Sequence, residues 1–146
     1  MENSDRVRVT LKWVQILDKL EPFFKKRGEF RFRARFSTPD GRVLAETLVP
    51  RQGHIEVSDR PGWNRLRLDE VVFEGEPGEG LVVEFAGEEL DRVGANERLD
   101  HYRRVFAGEP ANWLGWYGPG DEEDPGRPGD PENMSNWRVC YTIERA

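Results

Sequence analysis

The sequence predicts an all-β fold in which antiparallel strands pack as a sandwich. Three observations support this prediction. Apolar and polar residues alternate in several segments, as expected for strands with one buried face. These segments are spaced by roughly 8 to 12 residues and are separated by turns rich in Gly and Pro. No segment carries the helical period over three turns, so seven or eight strands are expected.

The first strand is predicted from Val7 to Trp13. Apolar residues occupy every second position there, and polar residues lie between them. After Trp13 the apolar positions change phase, to Val14 and Ile16. A phase change within a strand indicates a β-bulge or a bend, which we expect near Trp13 and Val14.

The second strand has the clearest period of two and lies between residues 30 and 36. Successive side chains of a strand point to opposite sides of a sheet, so the two faces of this strand differ in chemistry. One face carries Phe30, Phe32, Ala34 and Phe36, and the other carries Arg31, Arg33 and Arg35. A turn at residues 38–41 then leads to a hairpin partner at residues 42–49.

The later strands have weaker patterns of the same kind. They are predicted at residues 55–57, at residues 64–74 with a phase slip, at residues 81–85, at residues 101–106 as a strand or a short helix, and at residues 137–144. Two long loops are expected between them. Residues 87–100 are rich in acids, and residues 113–131 are rich in Gly and Pro.

Length, charge and cysteine content limit the class of protein. A chain of 146 residues favours one domain, spanning residues 1–146. The net charge is −6, but residues 119–132 hold six acids and one arginine, so the acidity belongs mainly to the Gly/Pro-rich loop at about 115–135. A single cysteine excludes an intramolecular disulfide. No segment has the pattern of a membrane span or a secretory signal, which predicts a cytoplasmic protein.

Three segments combine a strand with a characteristic loop. A strand runs into an acidic connection at Asp18, a Pro-Gly-Trp-Asn stretch at residues 61–64 precedes a strand, and the strand at residues 81–85 leads to an acidic loop that ends in Leu-Asp-His-Tyr at residues 99–102. Together these segments resemble the C2 domain, an eight-stranded calcium- and lipid-binding sandwich. The resemblance covers roughly residues 6 to 106. It implies an eight-stranded C2-like sandwich with long loops at one end.

The resemblance also implies a possible calcium site where two acidic connections meet at that end. The candidate ligands are Asp18, Glu21, Glu89, Asp91 and Glu97. This sequence departs from the family, because glutamates stand where paired aspartates are expected and their longer side chains change the geometry of a site that needs six to eight oxygens. The alternative is a solvated pair of loops neutralised by Arg92 and Arg98. Calcium is therefore optional, and no cofactor is required.

Basic residues on the second strand form a second candidate site. A stripe of arginines on one face of this strand can hold phosphates or carboxylates through forked guanidinium contacts. The stripe consists of Arg31, Arg33 and Arg35, and Lys25, Lys26 and Arg27 precede it in the sequence. In the alternative interpretation the stripe faces solvent and its arginines pair with Glu46, Glu70 or Glu74. The rings of Phe23 and Phe24, beside these cations, suit insertion into a membrane interface, unless that loop folds back on the sandwich.

Aromatic residues near the C-terminus form a third group. Trp113, Trp116, Tyr117 and Trp137 would be a recognition platform if exposed, or would cover the edge of a core.

Catalysis has little support, because His54 and His101 are the only histidines and no nucleophile elbow, phosphate loop or two-histidine zinc pattern is present. Cys140 lies within a predicted strand and is expected to pack as a small residue.

These observations predict a non-catalytic binding module that recognises a protein partner or an anionic lipid. Nucleic acid is an unlikely partner, since the acidic balance opposes the field that a polyanion requires. The alternative is a self-assembling or scaffold subunit. In that hypothesis the acidic segment at residues 119–132 of one copy would contact the arginine stripe of another.

Overall fold

Ten strands and one short 3₁₀ turn make up the parts of the chain that the structure describes. The structure is a computed structural model, and it describes residues 6–16, 27–58, 65–90, 97–118 and 137–146. The elements are β1 (Val7–Ile16), β2 (Arg27–Ser37), β3 (Val43–Val49), β4 (Ile55–Ser58), β5 (Arg65–Gly75), β6 (Gly80–Glu89), β7 (Glu97–Arg98), β8 (Tyr102–Ala107), the 3₁₀ turn Pro110–Trp113, β9 (Gly115–Tyr117) and β10 (Trp137–Arg145).

The strands form two antiparallel sheets. The first sheet has the order β5-β1-β10-β9. In the second sheet β2 lies between β3 and β6, β4 extends the β3 side by pairing with the start of β2, and both β7 and β8 pair with β6. This arrangement confirms the predicted all-β sandwich. It exceeds the predicted eight strands by two short ones, β7 with two residues and β9 with three.

The core lies between the sheets and is built from the alternating apolar residues. Phe32 of β2 stacks on Trp137 of β10 with ring centroids 5.3 Å apart, and Phe36 stacks on Phe73 of β5 at 5.0 Å. All four phenylalanine and alanine positions predicted to point inward on β2 are buried. The period of two on β2 therefore determines whether each of its side chains points into the core or to the outer surface.

The ends of the strands show that the longest connections leave the sandwich at the same end. In the first sheet Ile16 pairs with Trp137, at the end where β5 begins; in the second sheet Arg27 pairs with Ser58, near Glu89 at the end of β6. The stacking of Phe32 on Trp137 puts these two sets of strand ends at one end of the molecule. We call it the loop end.

Irregularities interrupt β1 and β5. The predicted bulge in β1 lies between Leu11 and Trp13, slightly before its expected place. The phase slip of β5 coincides with Asp69, whose φ of 48° lies in the left-handed region that Asp tolerates better than most residues. The two sheets also meet at one side, where the Thr47 hydroxyl of β3 donates a hydrogen bond of 2.9 Å to the Val72 carbonyl of β5.

Several local predictions need correction. β6 continues to Glu89, so residues 87–89 form a strand instead of a loop, because they extend the ladder with β2. Residues 113–118 are not an extended loop, since the 3₁₀ turn ends at Trp113 and β9 pairs with β10. The segment predicted as a strand or short helix is the strand β8. Within the described residues, no helix is long and apolar enough to cross a bilayer.

Candidate functional site

The candidate functional site is a groove on the outer face of the second sheet, with a volume of about 370 Å³. Four arginines, three glutamates and one histidine line it, and the other lining residues are apolar or glycine. The charged and titratable set is Arg31, Arg33, Arg35, Arg98, Glu46, Glu84, Glu88 and His101. With His101 uncharged, this set carries a formal excess of one positive charge.

The alternation of β2 explains why three guanidinium groups enter the groove. Phe30 and Phe32 point into the core and are almost completely buried. The residues between and after them must point to the opposite face, so Arg31, Arg33 and Arg35 form a row along one strand. The structure thus places the predicted arginine stripe on the outer surface.

Each of the three arginines lies near a carboxylate. Arg31 Nη2 is 2.7 Å from Glu88 Oε1. Arg33 Nε is 3.5 Å from one oxygen of Glu46, and Arg35 Nε is 3.9 Å from the other. One carboxylate therefore faces two guanidinium groups. The side chains of Arg33 and Arg35 are 56% and 48% exposed, and exposed ion pairs contribute at most about 1 kcal/mol, so an incoming anion can compete for them.

Two of the three carboxylates predicted as partners of the stripe lie elsewhere. Glu46 is a partner, because β3 pairs with β2 and places it opposite Arg35. Glu70 and Glu74 belong to β5, which lies in the first sheet. Glu74 there accepts a hydrogen bond of 2.7 Å from Arg8 Nε.

The far wall of the groove comes from β6 and the residues that follow it. Glu84 Oε1 lies 3.1 Å from His101 Nε2 and 3.9 Å from Arg103 Nε. Glu84, Glu88 and His101 were not predicted to belong to this site from the sequence. The signal was present, because outward positions of β6 alternate with core residues as they do on β2, but only the register between β2 and β6 makes them neighbours.

The architecture of the sandwich matches that of a known domain. A solved C2 domain of plant extended synaptotagmin 1 is similar to this chain, with a TM-score of 0.54 over 94% of this chain and 91% of that one. This chain has a C2-like fold. The sequence identity over the match is 10%, so the C2-like fold is divergent. No family model and no curated protein matches the sequence.

Most of the residues predicted for the loops of the C2-like fold fall outside the described residues. These are the predicted calcium ligands Asp18, Glu21 and Asp91, the rings of Phe23 and Phe24, the cations Lys25 and Lys26, and the stretch at residues 61–64 that supported the resemblance. Arg27 and Glu97 are described only in their backbone, in β2 and β7. The strands that flank these segments end at the loop end, as the resemblance implies for the loops.

Glu89 is the one predicted calcium ligand whose side chain is described. It lies at the end of β6, pairs with Phe30 and is 7% exposed. Its position is therefore a buried strand position at the loop end, and the expectation of a loop residue was wrong. Calcium takes six to eight oxygens at about 2.3 to 2.6 Å. One of the five candidate side chains lies among the described residues, and a single carboxylate supplies at most two of these oxygens.

The C-terminal aromatic group covers the edge of the core. Trp113 and Trp137 are 2% and 0% exposed, which excludes them from an open platform. The Trp113 indole donates a hydrogen bond of 2.9 Å to the Ala107 carbonyl, and the Tyr117 ring stacks on Tyr141 at 5.2 Å. Cys140 is buried, as predicted.

Proposed function

We propose that this C2-like domain is a non-catalytic binding module whose groove binds the anionic head group of a membrane lipid. The observation that supports this proposal most directly is the row of three guanidinium groups on β2. Two of them, Arg33 and Arg35, share the single carboxylate of Glu46. With Arg98 counted, the groove as a whole carries a formal excess of one positive charge over its three glutamates.

The chemistry of the row suits a phosphorylated head group. A guanidinium group binds phosphate oxygens through two parallel N–H donors, and such charge-assisted hydrogen bonds are roughly twice as strong as neutral ones. A phosphate monoester carries about −1.5 to −2 charges at neutral pH, more than the carboxylate of Glu46 with which it would compete. The proposed role of Lys25, Lys26 and Arg27 is to extend the basic surface toward the loop end, where Phe23 and Phe24 would enter the membrane. Calcium is optional in this proposal.

Vesicle co-sedimentation in EDTA tests the proposal. Vesicles of a neutral lipid alone are compared with vesicles that also contain a phosphoinositide. The R33Q/R35Q variant should lose roughly 30-fold in affinity for the anionic vesicles, because each basic residue near a membrane surface contributes about 1 kcal/mol. The same measurement with calcium shows whether the ion adds affinity.

The matched control is R8Q/R67Q. It removes the same charge from exposed arginines that face Glu74 and Asp69 on the first sheet. Equal losses in both double variants would show that only net charge matters and would contradict a specific groove. Binding that survives R33Q/R35Q unchanged would contradict the proposal entirely.

Sedimentation of the native chain at low and at high salt distinguishes the two other partners predicted from the sequence. If anionic vesicles do not bind and sedimentation shows larger species at low salt that dissociate at high salt, the anion is the acidic segment of another copy, at residues 119–132. If the chain is monomeric at both salt concentrations and binds no vesicles, the result favours a protein partner as the ligand of the groove.

A further inference from the structure

We propose that Glu29, His54 and Glu56 form a binding site for a divalent transition metal ion of the zinc class. The three side chains lie on the outer face of the second sheet, between β2 and β4. Each offers one donor atom, and the three atoms all lie within 4.8 Å of one another. The site does not depend on the function of the groove, because none of its residues lines the groove.

Strand pairing brings the three residues together. Glu29 of β2 is directly opposite Glu56 of β4 in the antiparallel register. His54 precedes Glu56 by two positions, just before β4 begins, so its side chain shares the face of Glu56. The ladder between β2 and β4 therefore fixes the backbone positions of Glu29 and Glu56 opposite each other.

Electrostatics favours a cation at this place. Directly opposed residues of antiparallel strands have Cβ atoms about 4.5 to 5.5 Å apart, and like charges at such positions are destabilising. Both glutamates also take part in further polar contacts. A divalent ion between Glu29 and Glu56 would neutralise the repulsion that remains.

The distances suit a small ion with short bonds. Zinc takes nitrogen and oxygen ligands at about 2.0 to 2.2 Å in tetrahedral geometry, which separates two ligand atoms by roughly 3.4 Å. His54 Nε2 and Glu29 Oε1 are 3.7 Å apart. The side chains of Glu29 and His54 are 26% and 38% exposed, so an ion can reach them from solvent and small rotamer changes can bring the donors closer.

The donor set selects the class of ion. Calcium and magnesium prefer oxygen ligands alone, whereas an imidazole together with carboxylates suits zinc and its neighbours in the first transition series. Three protein ligands leave one tetrahedral position for water or an external anion.

Calorimetric titration of the metal-free chain with Zn²⁺, in a constant excess of Mg²⁺ and Ca²⁺, tests the site. We expect one ion per chain, and loss of at least tenfold in affinity in H54Q and in E56Q. NMR should show the ring resonances of His54 shifting on addition of Zn²⁺, while those of His101 stay in place. All substituted residues lie at the surface, and the melting temperature without metal checks that each variant is folded.

The matched control is H101Q. His101 also lies beside a glutamate, with Nε2 3.1 Å from Glu84 Oε1, but a cation is already near that oxygen, since Arg103 Nε lies 3.9 Å from it. H101Q should bind Zn²⁺ within twofold of the native chain. The proposal is overturned if the native chain binds no stoichiometric Zn²⁺, if H54Q binds as the native chain does, or if H101Q loses as much affinity as H54Q.

Discussion

The phenol oxygens of Tyr102 and Tyr141 lie 2.6 Å apart and join the two sheets of the sandwich by a buried hydrogen bond. Tyr102 belongs to β8 in the second sheet and Tyr141 to β10 in the first. Both side chains are completely buried, and the Phe85 ring packs against each of them. This contact places a polar link inside an otherwise apolar core, where hydrogen bonds are strongest and costly to break.

A double-mutant cycle on this pair should reveal coupling. Y102F and Y141F should each lower the free energy of unfolding by about 1 kcal/mol, measured by urea denaturation. The double variant should lose less than the sum, because the second substitution no longer breaks the mutual bond. T47V with Y102F is the control, since β3 and β8 lie at opposite edges of the sheet and their effects should add. Additivity of the two tyrosine variants would contradict the coupling.

Removing the shared carboxylate of the groove should strengthen binding of anions. In E46Q both Arg33 and Arg35 lose their acidic neighbour. Affinity for vesicles that contain a phosphoinositide should rise roughly fivefold, as expected for one charge near a membrane surface. E74Q, which frees Arg8 on the other sheet, should leave affinity unchanged. A fall in affinity in E46Q would mean that Glu46 itself contacts the ligand.

A methyl group at Gly87 should disturb the core beneath the groove. It would lie 2.8 Å from Leu99 Cδ1 and 2.9 Å from Phe32 Cδ1, closer than real contacts allow. Leu99 can move, but the Phe32 ring is fixed against Trp137. G87A should therefore cost about 1 to 3 kcal/mol of unfolding free energy, whereas A86S on the neighbouring outward position should cost under about 0.5 kcal/mol. Equal stability of the two variants would show that the backbone of β6 yields instead.

Asp69 should contribute to acid sensitivity. The hydrogen bond from Arg67 Nε, assisted by Lys12, holds the pKa of the Asp69 carboxyl below its usual value. A lowered native pKa adds stability that is complete above the ordinary range of aspartate and is lost as pH falls through the native pKa. D69N should thus flatten the fall in stability on the acid side of about pH 4. Asn also tolerates the positive φ of this position.

R67Q is the companion variant for that measurement. It removes the donor and should flatten the same acid limb, and combining it with D69N should add nothing further. An acid limb in D69N as steep as that of the native chain would place the pH sensitivity in other carboxylates.

Much of the fold could be predicted because its strands follow a simple period. The alternation in β2 assigned Phe32 to the core and Arg33 to the surface, and the turn after it fixed the hairpin with β3. The extension of β6 to Glu89 could not be predicted in the same way. Glycine and acids are poor strand formers in isolation, and only the ladder with β2 holds them in a strand.

The candidate sites were predicted less well, since each depends on contacts between distant strands. The stripe of arginines was visible on one strand, but its partner Glu88 lies 57 positions from Arg31 and was expected in a loop. The cluster of His54 with Glu29 has no sequence motif at all, because its spacing exists only in the register of β2 with β4.

The bond from Thr47 to Val72 has a consequence for how the molecule resists association through its strand edges. It ties the edge strand β3 to the edge strand β5, so neither presents a fully open row of backbone groups along that side. On the other side β9 is only three residues long, and β8 carries Arg103 and Arg104, whose charges discourage a foreign strand from docking. Among the described strands, these edges are therefore protected against pairing with a strand of another molecule.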